Sequence, residues 1–326
     1  MSRINTHQAR SFTKLAVAVA IAVTAQAIFA ADYPTKPVTV IVPFPAGGST
    51  DLMARAVAQE FSKTFRQNVV VTNTAGGAGT VGTMAIARAR ADGYTLGVLP
   101  AATLVNQPHM RTTPYNLDSF EYICQLFESS LALAVKPNSP FKTLKEFIAY
   151  AKAHPNELTY GTPGPGTLPH LAMEQLLDKA GIETKHVPFQ GDGPAATALL
   201  GGHTDLYVGA VAVIKDKGMR SIAVFTEERV DTLPATGTAQ EQGVDMTASW
   251  WGGVVAPKGT PADVVVVVEK SCVAASQSES FKTTLSKLGT MVKYRNAKDY
   301  RVLVDNVSKV NGALIAKVLK PAGANK

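Results

Sequence analysis

Short β-rich runs alternate with stretches of helical length along most of the chain, and this alternation predicts an α/β protein. Two further observations support that class. Glycine-rich turns stand where strands hand over to helices, around 43–51, 73–82 and 160–170. Hydrophobic residues make up 46% of the 326 positions, enough for a large core and one or two domains.

The elements follow in order. Residues 1–30 read as a secretory signal peptide, with Arg3, Arg10 and Lys14 ahead of an apolar run from Leu15 to Phe29. That run is short against the roughly 20 residues of a membrane span, which argues against a retained anchor. Small residues at Ala25, Ala27, Ala30 and Ala31 place cleavage near Ala27 or Ala30. Val38–Val42 reads as a strand, Leu52–Phe65 as a helix, Val69–Val71 as a strand, Val81–Ala91 as a helix and Thr95–Leu99 as a strand. Leu131–Val135 is the next strand, and Thr143 with Glu146 forms a capping box for a helix to Ala153. Leu158–Tyr160, His186–Phe189, Asp205–Val208 and Ser221–Phe225 read as strands, with helices at Pro169–Ala180 and Ala195–Leu200. A strand at Val254–Ala256, a helix at Val264–Ala275 and a helical C-terminus complete the chain. The pattern implies parallel sheets covered on both faces. A first domain is expected at 32–128 plus 232–326 and a second at 129–231.

Composition excludes some functions. The formal charge of +7 falls to +4 once the three signal cations are removed, and the remaining Lys and Arg are scattered. No basic stripe interleaved with aromatics points to nucleic acid. Cys124 and Cys272 could pair in an exported protein, but the reading preferred from sequence is two separate buried side chains.

The three glycine turns carry the chemistry. The first runs Phe44-Pro45-Ala46-Gly47-Gly48-Ser49-Thr50-Asp51 and opens a helix. A helix start leaves backbone N–H groups unpaired and carries positive partial charge, so this turn can hold an anion without a lysine. Asp51 in the first turn stabilises the helix and would repel an anion placed too close. The second turn contains Gly77-x-Gly79-x-x-Gly82, a dinucleotide-like spacing. The acid that should follow the next strand is missing, so no nucleotide or other cofactor is expected. The third turn runs from Gly161 to His170. Pro163 and Pro165 have no N–H, which leaves Thr162, Gly164, Gly166 and Thr167 as donors for a second anion cradle. His170 and Glu174 share a helix face; without a third ligand at suitable spacing they read as packed residues, and no metal is expected. No nucleophile has a committed base, so no catalytic residue is assigned. Trp250 and Trp251 read as interdomain packing rather than as ligand stackers.

At this point the residues resemble a known family. Tyr33-Pro-Thr-Lys-Pro-Val-Thr-Val-Ile-Val-Pro-Phe-Pro-Ala-Gly-Gly, Asp92-Gly-Tyr-Thr-Leu, Gly161–His170, His186-Val-Pro-Phe-Gln-Gly and Trp250-Trp-Gly-Gly-Val-Val-Ala-Pro resemble the Bug/TctC proteins, over nearly the whole mature chain. These are periplasmic substrate-binding components of tripartite tricarboxylate transporters. The resemblance implies a two-domain venus-flytrap fold of the type II-like periplasmic-binding class, with a ligand cleft between α/β domains. It implies a small carboxylate held by the loops that match Phe44–Asp51 and Gly161–Thr167, and membrane permease subunits as partners of a monomer. The chain departs from the family pattern at Thr72-Asn73-Thr74-Ala75-Gly76, which lacks the usual acid and proline, and at Pro163 and Pro165. Phe44, Thr103 and Asp205 are the side chains expected to contact the ligand body. Gly47→Val is expected to block binding and leave the fold intact. A periplasmic sensor for a membrane kinase, or an exported α/β enzyme acting on an acid, are the alternatives.

Overall fold

The computed structural model describes residues 33–318, so the expected signal peptide lies outside the described residues. Ten strands and eleven helices of at least four residues alternate along these residues. The sheet order is β2-β1-β3-β9-β4-β7-β5-β6, with β8 and β10 also paired to β4.

The long strand β4 (Phe120–Val135) divides the molecule. Its first part pairs with β9 (Ser249–Pro257) and β10 (Thr290–Arg295). Its last five residues pair instead with β7 (Leu206–Ala210) and β8 (Arg220–Val224). One half of the sheet therefore holds β1 (Val38–Val42), β2 (Val69–Asn73), β3 (Thr95–Pro100), β9 and β10, and the other holds β5 (Thr159–Thr162), β6 (Lys185–Pro188), β7 and β8. The pairings of β1 with β2 and β3, and of β5 with β6 and β7, are parallel. Every pairing of β4, and that of β3 with β9, is antiparallel. The sheets are mixed rather than parallel, because β4 and β9 carry the chain back and forth between the two halves.

Strand burial explains the pattern. In β1, Val38, Val40 and Val42 are fully buried while Thr39 and Ile41 are half-buried, the period of two that a pleated strand imposes. In β4, Leu131, Leu133 and Val135 enter the main core and Ala132 and Ala134 enter a second apolar cluster with Leu199 and Tyr207. Both faces of this strand are thus covered. Helix α1 (Ser49–Phe65) follows β1 directly and packs on β2, and helix α2 (Thr80–Ala87) packs on β1 and β3. Helices α3 (Ala102–Val105) and α4 (Gln107–Met110) follow β3. The capping box expected for α5 (Leu144–Ala153) is present, with Thr143 accepting from the Glu146 N–H. Helix α6 (Leu168–Ala180) follows β5, α7 (Asp192–Gly201) follows β6, and α8 (Val211–Asp216) follows β7. Helices α9 (Ala262–Gln277), α10 (Glu279–Lys287) and α11 (Ala297–Val318) close the chain.

Cys124 and Cys272 form a disulfide between β4 and α9, with Cα atoms 6.5 Å apart, and this corrects the reading of two separate thiols. The segment between β8 and β9, expected to belong with the first half from 232 onward, bonds to the second half. The Leu144 N–H donates to Gln242 Oε1 at 2.7 Å, and Gln242 Nε2 donates to the Ile222 carbonyl at 3.0 Å.

Candidate ligand-binding site

Parallel strands β1 and β5 both point their carboxyl ends at the crevice between the two halves, where open α/β sheets bind ligands. The first turn leaves β1 there. Gly47 has φ +82°, and its N–H donates to Asp51 Oδ2 at 2.9 Å. Arg55 Nε donates to the same oxygen at 2.9 Å, and Asn73 Nδ2 donates to Oδ1 at 2.9 Å. Burial raises the Asp51 pKa, but the hydrogen bonds from Arg55, Gly47 and Asn73 outweigh it and leave the carboxyl below its usual range. Asp51 is therefore a brace inside the turn. The positive φ also corrects one expectation: a Cβ at Gly47 has nothing within 4 Å, but any side chain there adds backbone strain, so Gly47→Val does not leave the fold untouched.

The start of α1 already faces an anion. The Ser49 hydroxyl donates to the carboxylate of Asp192, which opens α7 in the opposite half. The Tyr207 hydroxyl donates to Asp192 Oδ1 at 2.5 Å. Asp192 is 8% exposed. Burial lifts its carboxyl above the usual carboxylate range, against the lowering effect of the bonds from Ser49 and Tyr207. Sequence reasoning missed this residue because it started the helix at Ala195. The signal was an acid between Gly191 and Gly193, the pattern of a helix first turn.

The third turn holds itself together. Gly164, at φ +139°, donates its N–H to Thr162 Oγ1 at 3.3 Å, and Gly166, at φ +70°, donates to His170 Nδ1 at 2.9 Å. Thr167 caps α6, and both its hydroxyl and its N–H reach the Gly164 carbonyl, at 2.8 and 3.3 Å. The N–H groups of Gly164, Gly166 and Thr167, expected to meet a ligand, are thus engaged inside the loop. Gly161 sits within β5, and Thr162 ends it with its hydroxyl 2.7 Å from His186 Nε2. His170 stacks on His186 with ring centres 3.9 Å apart. Burial lowers the His170 pKa to about 3, with His186 adding to the effect, and burial lowers His186 to about 4. His170 Nε2 lies 3.6 Å from Glu174, whose carboxylate accepts the Tyr160 hydroxyl. His170 is a packed residue that fixes the loop.

The two turns face each other across a narrow cavity. Phe44, Thr50, Pro100, Ala102 and Trp250 line it from one half, and Pro163, Thr167, Leu168, Pro169 and Asp192 line it from the other. The room left for the centre of a water molecule is about 20 Å³, so the halves stand close together. Cross-cleft bonds hold them: Asn106 Nδ2 donates to the Gly166 carbonyl at 2.8 Å, and Gln107 Nε2 donates to the Pro165 carbonyl at 2.7 Å. Gly48 caps α1 beside Asp192, while Ala46 and Gly47 are exposed on the rim. Thr103 is fully buried behind the wall, its hydroxyl donating to the Pro100 carbonyl at 3.0 Å. Asp205 is not brought to the cavity. Its carboxylate accepts from the Thr159 N–H and hydroxyl, both at 2.8 Å, at the opposite end of β5 from the turn. Trp250 stacks on Phe127 of its own half and presents to the cavity, whereas Trp251 packs edge-on to Tyr300. The dinucleotide-like turn serves packing: a Cβ on Gly82 would lie 2.6 Å from Pro43 Cα, and one on Gly79 would lie 3.0 Å from the Phe44 ring.

A two-lobed α/β chain whose lobes close on a small cavity built at helix starts defines a solute-binding protein of the periplasmic type. The family described as "Tripartite tricarboxylate transporter family receptor", TctC, matches residues 53–319, and the chain belongs to that family. BugT of Bordetella pertussis is 33% identical over 279 residues, covering 83% of this chain and 86% of that protein. Among solved structures, periplasmic binding protein BugD superposes with a TM-score of 0.82 at 30% identity, covering 88% of this chain and 98% of that one. MatC of Rhodopseudomonas palustris, solved with bound malate, superposes with a TM-score of 0.81 at 28% identity, covering 87% of this chain and all of the other (100%). A further R. palustris protein, solved with adipate, gives a TM-score of 0.84 at 27% identity over 88% of this chain and 98% of that one.

Proposed function

We propose that this chain is exported to the periplasm, loses its signal peptide, and captures a small organic acid for delivery to the membrane permease of a tripartite transporter. It acts as a monomer that binds and does not turn over its ligand. Family membership and the neighbours holding malate and adipate support this reading. The observation that carries it is the meeting of two helix starts, α1 and α6, from opposite halves at one apolar-walled cavity. We place the ligand carboxylate at the start of α6 on the Leu168 N–H, since the Gly164, Gly166 and Thr167 N–H groups are engaged inside the loop and α1 already faces Asp192. We place the domain boundary near 248 rather than 231, because 237–242 bonds to the second half. Ligand binding then works by closure: contacts to both halves favour the closed form over an open one.

The Thr50 hydroxyl lines the cavity and has no hydrogen-bond partner among the described residues, which leaves it for the ligand. Losing one such bond costs about 1 kcal/mol, about fivefold in affinity. The test is a thermal-shift screen of the mature protein against small mono- and dicarboxylates, with a calorimetric titration of the Thr50→Val variant. A ligand at 100 times its Kd adds about 2.7 kcal/mol, which is readily seen. The expected result is a shift with an acid, absent with its neutral amide, and weaker binding in Thr50→Val at unchanged ligand-free melting temperature. No shift with any acid overturns the reading.

A further inference from the structure

The cavity wall holds one buried carboxyl, that of Asp192, and among the described residues no protein cation stands beside it. Among the described residues that line it, Asp192 is the one ionisable side chain; Phe44, Leu168 and Trp250 supply apolar wall. Its bonded partners, Ser49 and Tyr207, are both neutral. A buried carboxylate without a counter-charge is costly, and a second carboxylate brought beside it adds repulsion in a medium that screens poorly. A cationic nitrogen in the same place does the opposite. It supplies the missing counter-charge. Two hydrogen bonds from the protein still leave carboxylate lone pairs to accept an N–H donor.

We propose that Asp192 is the specificity-determining residue of the cleft and selects acids that carry an ammonium group, one carboxylate and one amine, over dicarboxylates. This rests on the reading of the cavity as a carboxylate site. The acid end lies at the start of α6, and the amine end lies at Asp192. The two ends of the ligand thereby meet the two halves of the protein, so both are needed to favour closure.

The experiment is a calorimetric titration of wild-type protein and Asp192→Asn with matched probes. These are α-amino acids, ω-amino acids from β-alanine to 6-aminohexanoate, the dicarboxylates of equal length from malonate to adipate, and the corresponding alkylamines. The expected result is that the tightest wild-type probe is an amino acid, at least tenfold tighter than its matched dicarboxylate. In Asp192→Asn that ratio should fall at least tenfold, because asparagine keeps the shape and loses the charge. The ratio is the readout because Asp192 also bonds Ser49 across the cleft, so absolute affinities of the variant will drop for every probe. If the variant does not fold, the wild-type ratio alone decides. A wild-type preference for dicarboxylates, or a ratio that the substitution leaves unchanged, overturns the proposal. Alkylamines binding as tightly as the amino acids would overturn the carboxylate site while leaving the role of Asp192 standing, and no binding by any probe overturns both.

Discussion

Single residues decide how closely the chain can fold around the cleft. Gly253 in β9 lies opposite Gln125, at a point where β4 shifts register between Gln125 and Phe127. A Cβ there would strike the Cys124 carbonyl and lie 2.8 Å from Gln125 Cα. Backbone cannot swing aside as a flexible side chain can, so Gly253→Ala should cost about 1–3 kcal/mol, the usual cost of overpacking, read as a lower urea midpoint at constant slope. The glycine was legible in the sequence as part of Trp250-Trp-Gly-Gly, but its reason was not, since that depends on a neighbour more than a hundred positions away. The same limit governed the site. The first turn could be read because a strand, glycines and a helix follow one another locally. Asp192 could not, because its role depends on Ser49, a residue 143 positions away. Asp205 looked available for a ligand, yet its partner Thr159 lies across the β5–β7 pair.

At the scale of elements, most strands and helices were legible from period and punctuation, and the misses share a cause. Strand β4 was expected only at Leu131–Val135 and runs from Phe120. Its first part is interrupted by polar Glu121, Gln125 and Glu128, which a period of two does not flag, and two bulges displace the pattern. The short α3, α4 and α8 run for less than two turns, too short to show an i, i+3, i+4, i+7 repeat, and β10 alternates weakly. The start of α6 is where element and chemistry meet. His170 and His186 lock its entry loop as neutral rings, with pKa values lowered from 6.5 to about 3 and about 4. In the unfolded chain both take up protons at their ordinary pKa. The unfolded state therefore binds more protons than the native state below pH 6.5, and stability falls as pH drops from there toward 4 and then 3. His186→Phe keeps a stacking ring and removes one titration. Its unfolding free energy should vary less steeply between pH 6 and 4.5, by about 1.4 kcal/mol per pH unit. Urea titrations across that range check it; an unchanged slope would mean that His186 is protonated in the native protein.

For the whole molecule, the question is what holds together a lobe that the chain leaves and re-enters. The second half is inserted between β4 and β9, so the first half is built from two separate stretches of sequence. The Cys124–Cys272 disulfide joins those two stretches, β4 before the crossing and α9 after the return. The bridge spans 148 residues, which include all of β5 to β8. The sequence alone favoured two separate side chains; the topology brings them together, because an inserted lobe sets its distant flanks side by side. Such bonds form and persist in oxidising compartments. Closing a loop of this length removes unfolded-state entropy worth about 5 kcal/mol. Both cysteines are fully buried and neither lines the cavity, so stability and binding should separate. Protein refolded under dithiothreitol should lose up to about 5 kcal/mol in urea unfolding, and its calorimetric affinity for whichever probe gives the largest thermal shift should stay within twofold of the oxidised form. A large loss of affinity in the folded, reduced protein would mean that the bridge also sets the relation between the lobes. Unchanged stability would mean that packing of α9 on β4 alone already ties the two stretches together.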